Sequence, residues 1–194
     1  MKDLYEVLEE LTELLDSLGV PYAGTEAKLV GGSSDEEGEL VLKNPGNLIG
    51  YHNMPEETAK RLRDGWYYTG DVCRRDADGF YYFVGRTDDM FVSGGENIYP
   101  GEVEALLQRH PAIHQALVMP FDHELKGQVP YAFVVPRDGV AITEEELKQF
   151  ALANGPAYKH PRRIFFLREL PLSGTNKIDR ERLRRLVAED VVTK

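Results

Sequence analysis

A stretch of three glycine-centred loops near the middle of the chain constrains the fold more than any other part of the sequence. The stretch runs from Tyr67 to Ile98, and its loops separate short runs of aromatic and β-branched residues. Such runs, bounded by glycine turns, are typical of short β-strands. The predicted boundaries are a first strand closed by Gly70-Asp71, a second closed by Gly85-Arg86 with Asp88-Asp89, and a loop, Ser93-Gly94-Gly95-Glu96-Asn97, that leads into a helix beginning at Pro100.

The polar residues of this stretch fall on the loops, where a ligand can reach them. A carboxylate and a guanidinium at successive strand ends can converge on one molecule. Asp71 can accept two hydroxyl hydrogen bonds, and Arg86 can donate to ring oxygens or to phosphate. The pattern therefore indicates a binding site for a polar ligand.

Three motifs occur in a fixed order along the chain. They are TGD at Thr69–Asp71, then GRTDD followed by SGGENIYPGEVE, and finally LPLSGTNKIDR at Leu170–Arg180. Together they resemble the motifs of the adenylate-forming enzymes, and within them the AMP-forming acyl-CoA ligases. The resemblance implies an α+β fold class: a small β-rich subdomain over residues 19–86, part of a distorted barrel, followed by a small α/β lid domain over residues 87–194.

The resemblance also implies roles for individual residues. Lys177 matches the family's catalytic lysine, which reaches the carboxylate and the α-phosphate during adenylation. Asn176 departs from the pattern, because the family usually has glycine there, and a side chain limits the freedom of the loop. The other matches are nucleotide contacts at Asp71, Arg86 and Phe83, a hinge at Asp88, and coenzyme A contacts at Gly94, Gly95 and Asn97.

The function implied is activation of a carboxylate with ATP and Mg²⁺, followed by transfer of the acyl group to coenzyme A. The family's Ser/Thr/Gly-rich phosphate loop and its acyl pocket, with the Mg²⁺-binding glutamate, have no counterpart in the sequence. We therefore expect a C-terminal fragment that is inactive alone. Two alternatives stay open: one chain of a split ligase, and a non-catalytic interaction module.

Leucines at the beginning of the chain follow a helical repeat. Their spacing alternates between four and three residues, and acidic residues occupy the other faces. The sequence predicts an amphipathic helix over residues 1–18, outside the family resemblance. The helix either docks on its own domain or contacts a second copy or a partner. The repeat consists of Leu4, Leu8, Leu11, Leu15 and Leu18.

Composition narrows the function classes. A formal net charge of −10 disfavours general binding to nucleic acid, and no apolar run is long enough to span a bilayer or to act as a signal peptide. One cysteine, Cys73, excludes an internal disulfide, so a cytoplasmic setting is expected. We interpret Cys73 as a strand residue rather than a nucleophile. His52 and His123 lack metal-ligand spacing, so no metal site is predicted.

The remaining secondary structure follows from periodicity and caps. Thr143 with Glu146 forms a capping box at the start of one helix. The strand at residues 129–135 is apolar throughout, so we expect it to be buried on both faces, and Pro130 is expected only at its start, because proline cannot donate to a sheet. The predicted strands are 25–30, 38–42, 114–119, 129–135 and 163–167, with a turn at 31–34, and the predicted helices are 55–62, 100–110, 143–154 and 179–187.

Overall fold

The computed structural model describes residues 15 and 17–192. The chain divides into two compact units, Met1–Asp89 and Met90–Lys194. Most of the predicted N-terminal helix, with Leu4, Leu8 and Leu11, lies outside the described residues. Its predicted end at Leu18 is wrong: the Leu18 N–H donates to the Tyr81 carbonyl at 2.7 Å, as extended chain does beside a strand.

The first unit is an antiparallel sheet built around its longest strand. That strand, β4, pairs with β2 along one edge and with β3 and β5 along the other. The sheet is curled, so that β1 and β5, on opposite sides of β4 in the strand order, approach each other. The Tyr81 hydroxyl on β5 donates to the Ala27 carbonyl on β1 at 3.4 Å. The elements are β1 (Glu26–Ser34), β2 (Glu37–Lys43), α1 (Pro55–Arg61), β3 (Leu62–Arg63), β4 (Trp66–Arg75) and β5 (Tyr81–Arg86).

Two predicted strand ends in this unit are wrong. The turn expected at residues 31–34 is strand, since β1 continues to Ser34 and the chain turns at residues 35–36. Gly32 is required there because a Cβ would lie 1.6 Å from the carbonyl oxygen of Glu37. Gly70-Asp71 does not close β4, which continues to Arg75. In both places glycine allows close backbone packing within a strand rather than a turn.

The second unit is a mixed sheet with helices on both faces. Its central strand, β9, pairs antiparallel with β8, parallel with β10, and through Gly127 with β6. The elements are β6 (Phe91–Ser93), β7 (Glu96–Ile98), α2 (Pro100–Gln108), β8 (Ile113–His123), β9 (Gly127–Pro136), α3 (Glu144–Asn154), β10 (Arg163–Phe166) and α4 (Arg180–Val192). The described chain is thus mixed α+β, as the sequence predicts.

The alternation of side chains along β9 explains the helices on both faces. Ala132 and Val134 pack in a cluster with α2 and α3, whereas Phe133 between them packs with Leu183 of α4. Successive strand residues point to opposite faces, so a strand apolar at every position needs cover on both. Full burial of a side chain such as Phe133 contributes about 2–3 kcal/mol. The predicted burial of this strand on both faces is confirmed.

The prediction for Pro130 is wrong, because β9 begins at Gly127 and carries Pro130 inside it. Pro130 lies opposite Pro120, where neither residue can donate to its neighbour. The Pro130 carbonyl accepts from the N–H of Arg162 at 2.8 Å, so the missing Pro130 N–H also faces the β10 edge, before β10 begins at Arg163. No ladder hydrogen bond is therefore lost to β8.

The predicted helix boundaries agree best with the structure where a capping residue specifies them. Pro100 is the first residue of α2, and Thr143 caps α3 with both hydrogen bonds of the capping box, so both predictions are confirmed. The carboxylate of Asp179 accepts from the N–H of Arg182 at 3.0 Å and caps α4. Among the described helices, none combines the length and apolar character needed to cross a bilayer.

We expect Thr143→Ala to lower the free energy of unfolding of the second unit by about 1 kcal/mol, because the Glu146 N–H loses its acceptor. The hydrogen bonds from the Thr143 hydroxyl and N–H lower the pKa of Glu146. The contribution of the Glu146 carboxylate is therefore full above the ordinary glutamate pKa and disappears as pH falls through the lowered one, whereas the hydrogen bond from the Glu146 N–H does not depend on pH. Urea unfolding at neutral and acidic pH measures both effects. Thr143→Ser keeps the oxygen as control, and an equal loss there would contradict the cap.

Candidate functional site

The TGD motif lies in a bulge in the middle of β4. Residues 69–71 of β4 stand opposite a single residue of β2, Leu40, because the register shifts between Glu39 and Val41. The Thr69 hydroxyl donates to the Leu40 carbonyl at 2.8 Å and accepts from the Asp71 N–H at 3.0 Å. A side-chain hydroxyl thus satisfies backbone groups that the bulge removes from the ladder.

Gly70 brings two arginine side chains close to the backbone of this bulge. Its φ is +78°, and a Cβ would lie 2.2 Å from Nη1 of Arg61 and 2.9 Å from Nη2 of Arg86. The Gly70 N–H donates to Oε1 of Glu39 at 2.9 Å, and its carbonyl accepts from the N–H of Thr87 at 2.8 Å and from its hydroxyl at 3.2 Å. Only glycine combines this φ with this crowding.

Asp71 and Arg86 are paired directly across the sheet. They are opposite each other in the register of β4 and β5, and Nη1 of Arg86 donates to Oδ1 of Asp71 at 2.6 Å. The two side chains are 34% and 42% exposed, so a ligand can reach both. The sequence predicts that these side chains converge from strand ends. Arg86 is the last residue of β5, as predicted, whereas Asp71 lies inside β4, because the bulge lets β4 continue to Arg75.

A second bulge brings Phe83 onto the same face. Val72 lies opposite Gly85 and Cys73 lies opposite Phe83, which leaves Val84 without a partner. Residues directly opposite share a face, and Asp71 and Cys73 are two apart, so Phe83 faces the same side as Asp71. Without the extra residue, Phe83 and Arg86 would point to opposite sides. Phe83 is 50% exposed.

Asp88 has a partner that sequence reasoning missed. Nη2 of Arg61 donates to Oδ2 of Asp88 at 3.2 Å, and Nε of Arg61 donates to Oε1 of Glu57 at 3.2 Å. Glu57 and Asp88 each raise the pKa of Arg61, the hydrogen bond to Glu57 most strongly. The only signal in the sequence is the i,i+4 spacing of Glu57 and Arg61. A groove of about 410 Å³ borders this pair; it is lined by Glu39, Glu57, Lys60, Arg61, Arg63, Tyr68, Thr87 and Asp88.

Gly94 and Gly95 form the two-residue turn between β6 and β7. Both have positive φ, +60° and +92°, which is the geometry of the tight hairpin turn that favours glycine at both positions. A Cβ on Gly95 would meet nothing within 4 Å, so the turn accounts for this glycine without crowding. Asn97 is exposed on β7, opposite Val92. The loop thus contains a short hairpin before α2.

Lys177 lies at the end of a tight, locally hydrogen-bonded loop. The Ser173 N–H donates to the Lys177 carbonyl at 2.7 Å, and the Asn176 N–H donates to the Ser173 carbonyl at 2.9 Å. Asn176 has a φ of +59°, a conformation that asparagine tolerates better than most residues. The Lys177 side chain is exposed and makes no hydrogen bond or ion pair within the described part of the chain.

The site residues therefore fall into two groups. Asp71, Arg86 and Phe83 share one face of the first unit, and Asp88 follows on the same strand end. The coenzyme A candidates and Lys177 belong to the second unit, in the β6–β7 turn and in the loop before α4.

Cys73 is a buried strand residue, and the histidines belong to no metal-ligand cluster among the described residues. Cys73 is fully buried in β4, and burial, with a smaller contribution from Asp71, raises its pKa to about 11. In residues 15 and 17–192, no group of three or more His, Cys, Asp or Glu side chains is arranged to hold a metal ion. These residues therefore do not fit a Mg²⁺ site.

Comparison with known proteins identifies the class of the chain. Residues 102–177 match the family described as AMP-binding enzyme C-terminal domain. A 2-succinylbenzoate–CoA ligase from Geobacillus sp. (strain WCH70) is 46% identical over 152 residues, which are 78% of this chain and 31% of that protein.

Solved structures agree with this match. The amide bond synthetase McbA from Marinactinospora thermotolerans has a TM-score of 0.80 and 30% identity over 90% of this chain and 36% of its own. The o-succinylbenzoate CoA synthetase MenE from Bacillus subtilis, in complex with the acyl-adenylate intermediate OSB-AMP, has a TM-score of 0.78 and 35% identity, over 90% and 37%.

Residues 102–177 thus match the AMP-binding enzyme C-terminal domain family, and the proteins to which the chain is similar include acyl-CoA ligases. The family resemblance carried by the TGD, GRTDD, SGGENI and LPLSGTNK motifs is confirmed. The chain spans about a third of the length of the relatives that it matches.

We expect Gly70→Ala to destabilise the first unit more than Gly24→Ala. Gly24 also has a positive φ, +87°, but a Cβ there meets nothing within 4 Å, so its cost of about 1 kcal/mol is backbone strain alone. At Gly70 the Cβ must also displace Arg61 and Arg86, which adds about 1 kcal/mol or more. Urea unfolding of both variants measures the difference, and equal losses would show that the two guanidinium groups do not need this space.

We expect Cys73 to react with iodoacetamide at pH 8 on the order of 100-fold more slowly in the folded protein than in urea, because its pKa near 11 and its burial remove the thiolate. Mass spectrometry over time measures both rates. Modification of the native protein at the rate of the unfolded chain would contradict the buried placement of Cys73.

Proposed function

We propose that the chain is the C-terminal part of an AMP-forming acyl-CoA ligase. Such an enzyme activates a carboxylate with ATP to an acyl-adenylate and then transfers the acyl group to the thiol of coenzyme A. The observation that carries the proposal is the shared face of Asp71, Arg86 and Phe83, together with the exposed Lys177 in the family's motif.

The shared face supports a nucleotide site. Asp71 presents a half-exposed carboxylate whose Oδ1 is held by Arg86, so the side chain is oriented to accept hydroxyl groups of a ribose. Arg86 can donate to ribose or phosphate oxygens through its remaining N–H groups. Phe83 is half exposed beside them and offers an apolar surface for adenine. In this proposal, Phe83 contacts the adenine of AMP, Asp71 the ribose, and Arg86 the ribose or the phosphate.

The first half-reaction is adenylation. A carboxylate oxygen of the substrate attacks the α-phosphorus of ATP, the bond from that phosphorus to the bridging oxygen breaks, and pyrophosphate leaves. Negative charge accumulates on the attacking oxygen and on the α-phosphate, so cationic donors stabilise the transition state. Lys177 supplies an ammonium group with no competing carboxylate among the described residues. Its hairpin-like loop fixes the backbone but leaves the side chain extended into solvent.

The second half-reaction is thioester formation. The sulfur of coenzyme A attacks the acyl carbon, AMP leaves with the electrons of the broken C–O bond, and the thiol proton goes to solvent. In this proposal the second unit is the lid domain, Asp88 is the hinge, and the β6–β7 turn with Gly94, Gly95 and Asn97 contacts the pantetheine arm. The absence of side chains at the tip of the turn supports close approach of a narrow ligand.

Other parts of the site come from residues outside the matched third. Magnesium would neutralise charge on the ATP phosphates, but the described residues do not fit it, so its ligands belong elsewhere. The acyl pocket belongs elsewhere as well, and we propose that the chain alone does not catalyse either step. The similarity to an amide bond synthetase supports an amine as the alternative acceptor.

The test joins this chain to the N-terminal region of the Geobacillus ligase that it resembles. We expect Lys177→Ala to lower carboxylate-dependent pyrophosphate release by about 100-fold, because one donor to the developing charge is lost. Thioester formation from supplied acyl-adenylate should be unchanged. Coenzyme A and simple amines are compared as acceptors in the same assay.

Lys60→Ala is the matched control, because Lys60 is a surface lysine, 68% exposed, that lines the groove beside Asp88 but has no assigned role in adenylation. Normal adenylation by the Lys177→Ala fusion would contradict the assigned role. Activity of the unfused chain that disappears in Lys177→Ala would overturn the proposal that the chain alone is inactive.

A further inference from the structure

We propose that Arg61 is a positioning residue that fastens the segment joining the two units to the first unit, through Asp88. The inference rests on the proposed function for one point, the role of Asp88 as a hinge. The contacts of Arg61 themselves are independent of any activity. These contacts form what we call the latch: the ion pair between Arg61 and Asp88, which must break before the joining segment can move.

Arg61 is held in place before it reaches Asp88. It is the last residue of α1, and its side chain is only 19% exposed. Its Nε donates to Glu57 one helical turn earlier, which fixes the direction of the guanidinium. The missing Cβ of Gly70 leaves room for Nη1, and Nη2 is then directed at Oδ2 of Asp88 at 3.2 Å. Three nitrogens of one planar group thus have defined surroundings.

Among the described residues, the segment that receives this contact is otherwise hydrogen-bonded to the rest of the first unit through the Gly70 carbonyl. The N–H and hydroxyl of Thr87 both donate to the Gly70 carbonyl, and the Asp89 N–H closes a turn onto the Arg86 carbonyl at 3.2 Å. Asp88, at the outer position of this turn, has its carboxylate held only by Arg61 among the described residues, and its side chain is 72% exposed. The first unit ends one residue later.

The strength of the contact suits a latch that opens. The Asp88 side chain is 72% exposed, so its carboxylate is hydrated as soon as the ion pair breaks, and such a pair is weak. Thr87 would keep its hold on Gly70 while Asp88 and the following peptide change conformation. Gly70 therefore connects both ends of the proposed latch: its carbonyl anchors Thr87, and its lack of a side chain admits Arg61.

Arg63, two residues after Arg61 and at the end of β3, provides a matched control. It lines the same groove, but its Nε donates to the Lys60 carbonyl and its guanidinium stacks 4.5 Å from the ring centre of Tyr68. It makes no contact with Asp88. A variant at Arg63 therefore removes the same charge from the same surface and leaves the proposed latch intact.

The experiment is hydrogen–deuterium exchange with mass spectrometry on the whole chain. We expect Arg61→Gln to raise exchange in the peptide that contains Thr87 and Asp89 by about 1.5- to 5-fold, the range for loss of an exposed ion pair. Arg63→Gln should leave it unchanged. Asp88→Asn should match Arg61→Gln, and the double variant should exchange no faster than either, because both remove one contact.

Each outcome decides the proposal. Unchanged exchange in Arg61→Gln, an equal rise in Arg63→Gln, or additive effects of Arg61→Gln and Asp88→Asn would overturn it. Arg61→Lys separates charge from geometry: a lysine cannot hold Glu57 and Asp88 in two fixed directions, so exchange should stay raised, and full restoration would overturn the positioning role. The experiment contains no substrate, so a failure of the ligase proposal in the Lys177 assay leaves its result independent.

Discussion

The bulge at Gly70 is the constraint on which the first unit depends. It lets β4 pass through the TGD motif and keep pairing on both edges, so Asp71 meets Arg86 across a ladder rather than at a loose strand end. The same glycine carries the carbonyl that anchors Thr87 and the open space that admits Arg61. One residue without a side chain therefore organises the ion pair, the end of β5 and the exit of the chain from this unit.

The two units differ in how many apolar side chains they bury. The second unit has two apolar clusters, one on each face of β9, and its strand residues alternate between them. In the described part of the first unit, the buried apolar side chains are few: Val41, Val72, Cys73, Tyr81 and Val84. A curled sheet with so small a core relies on its ladder and on side-chain hydrogen bonds such as those of Thr69. Its site is thus built from the same bonds that hold the sheet together.

Features of the second unit that depend on neighbouring residues can be predicted from the sequence. Features that depend on contacts between distant residues cannot. The Thr143 capping box, the start of α2 at Pro100 and the apolar run of β9 each depend on neighbouring residues, and each is confirmed. The bulges in β4 and β5 depend on the register with their partner strands, so no local sequence pattern predicts them. Arg61 and Asp88 meet across 27 residues of chain for the same reason. The motif at Thr69–Asp71 indicated a site but not the strand that continues through it.

The backbone at Asn176 limits what evolution can place beside Lys177. A left-handed φ of +59° admits glycine freely and asparagine or aspartate at small cost, and it excludes branched side chains. Aspartate would set a negative charge next to the ammonium group that, in the proposed function, stabilises anionic oxygens. Glycine and asparagine are then the two residue types that adopt this φ readily and carry no charge. Asn176, where the family usually has glycine, therefore keeps the left-handed backbone and the neutral charge beside Lys177, while its side chain makes the loop less free.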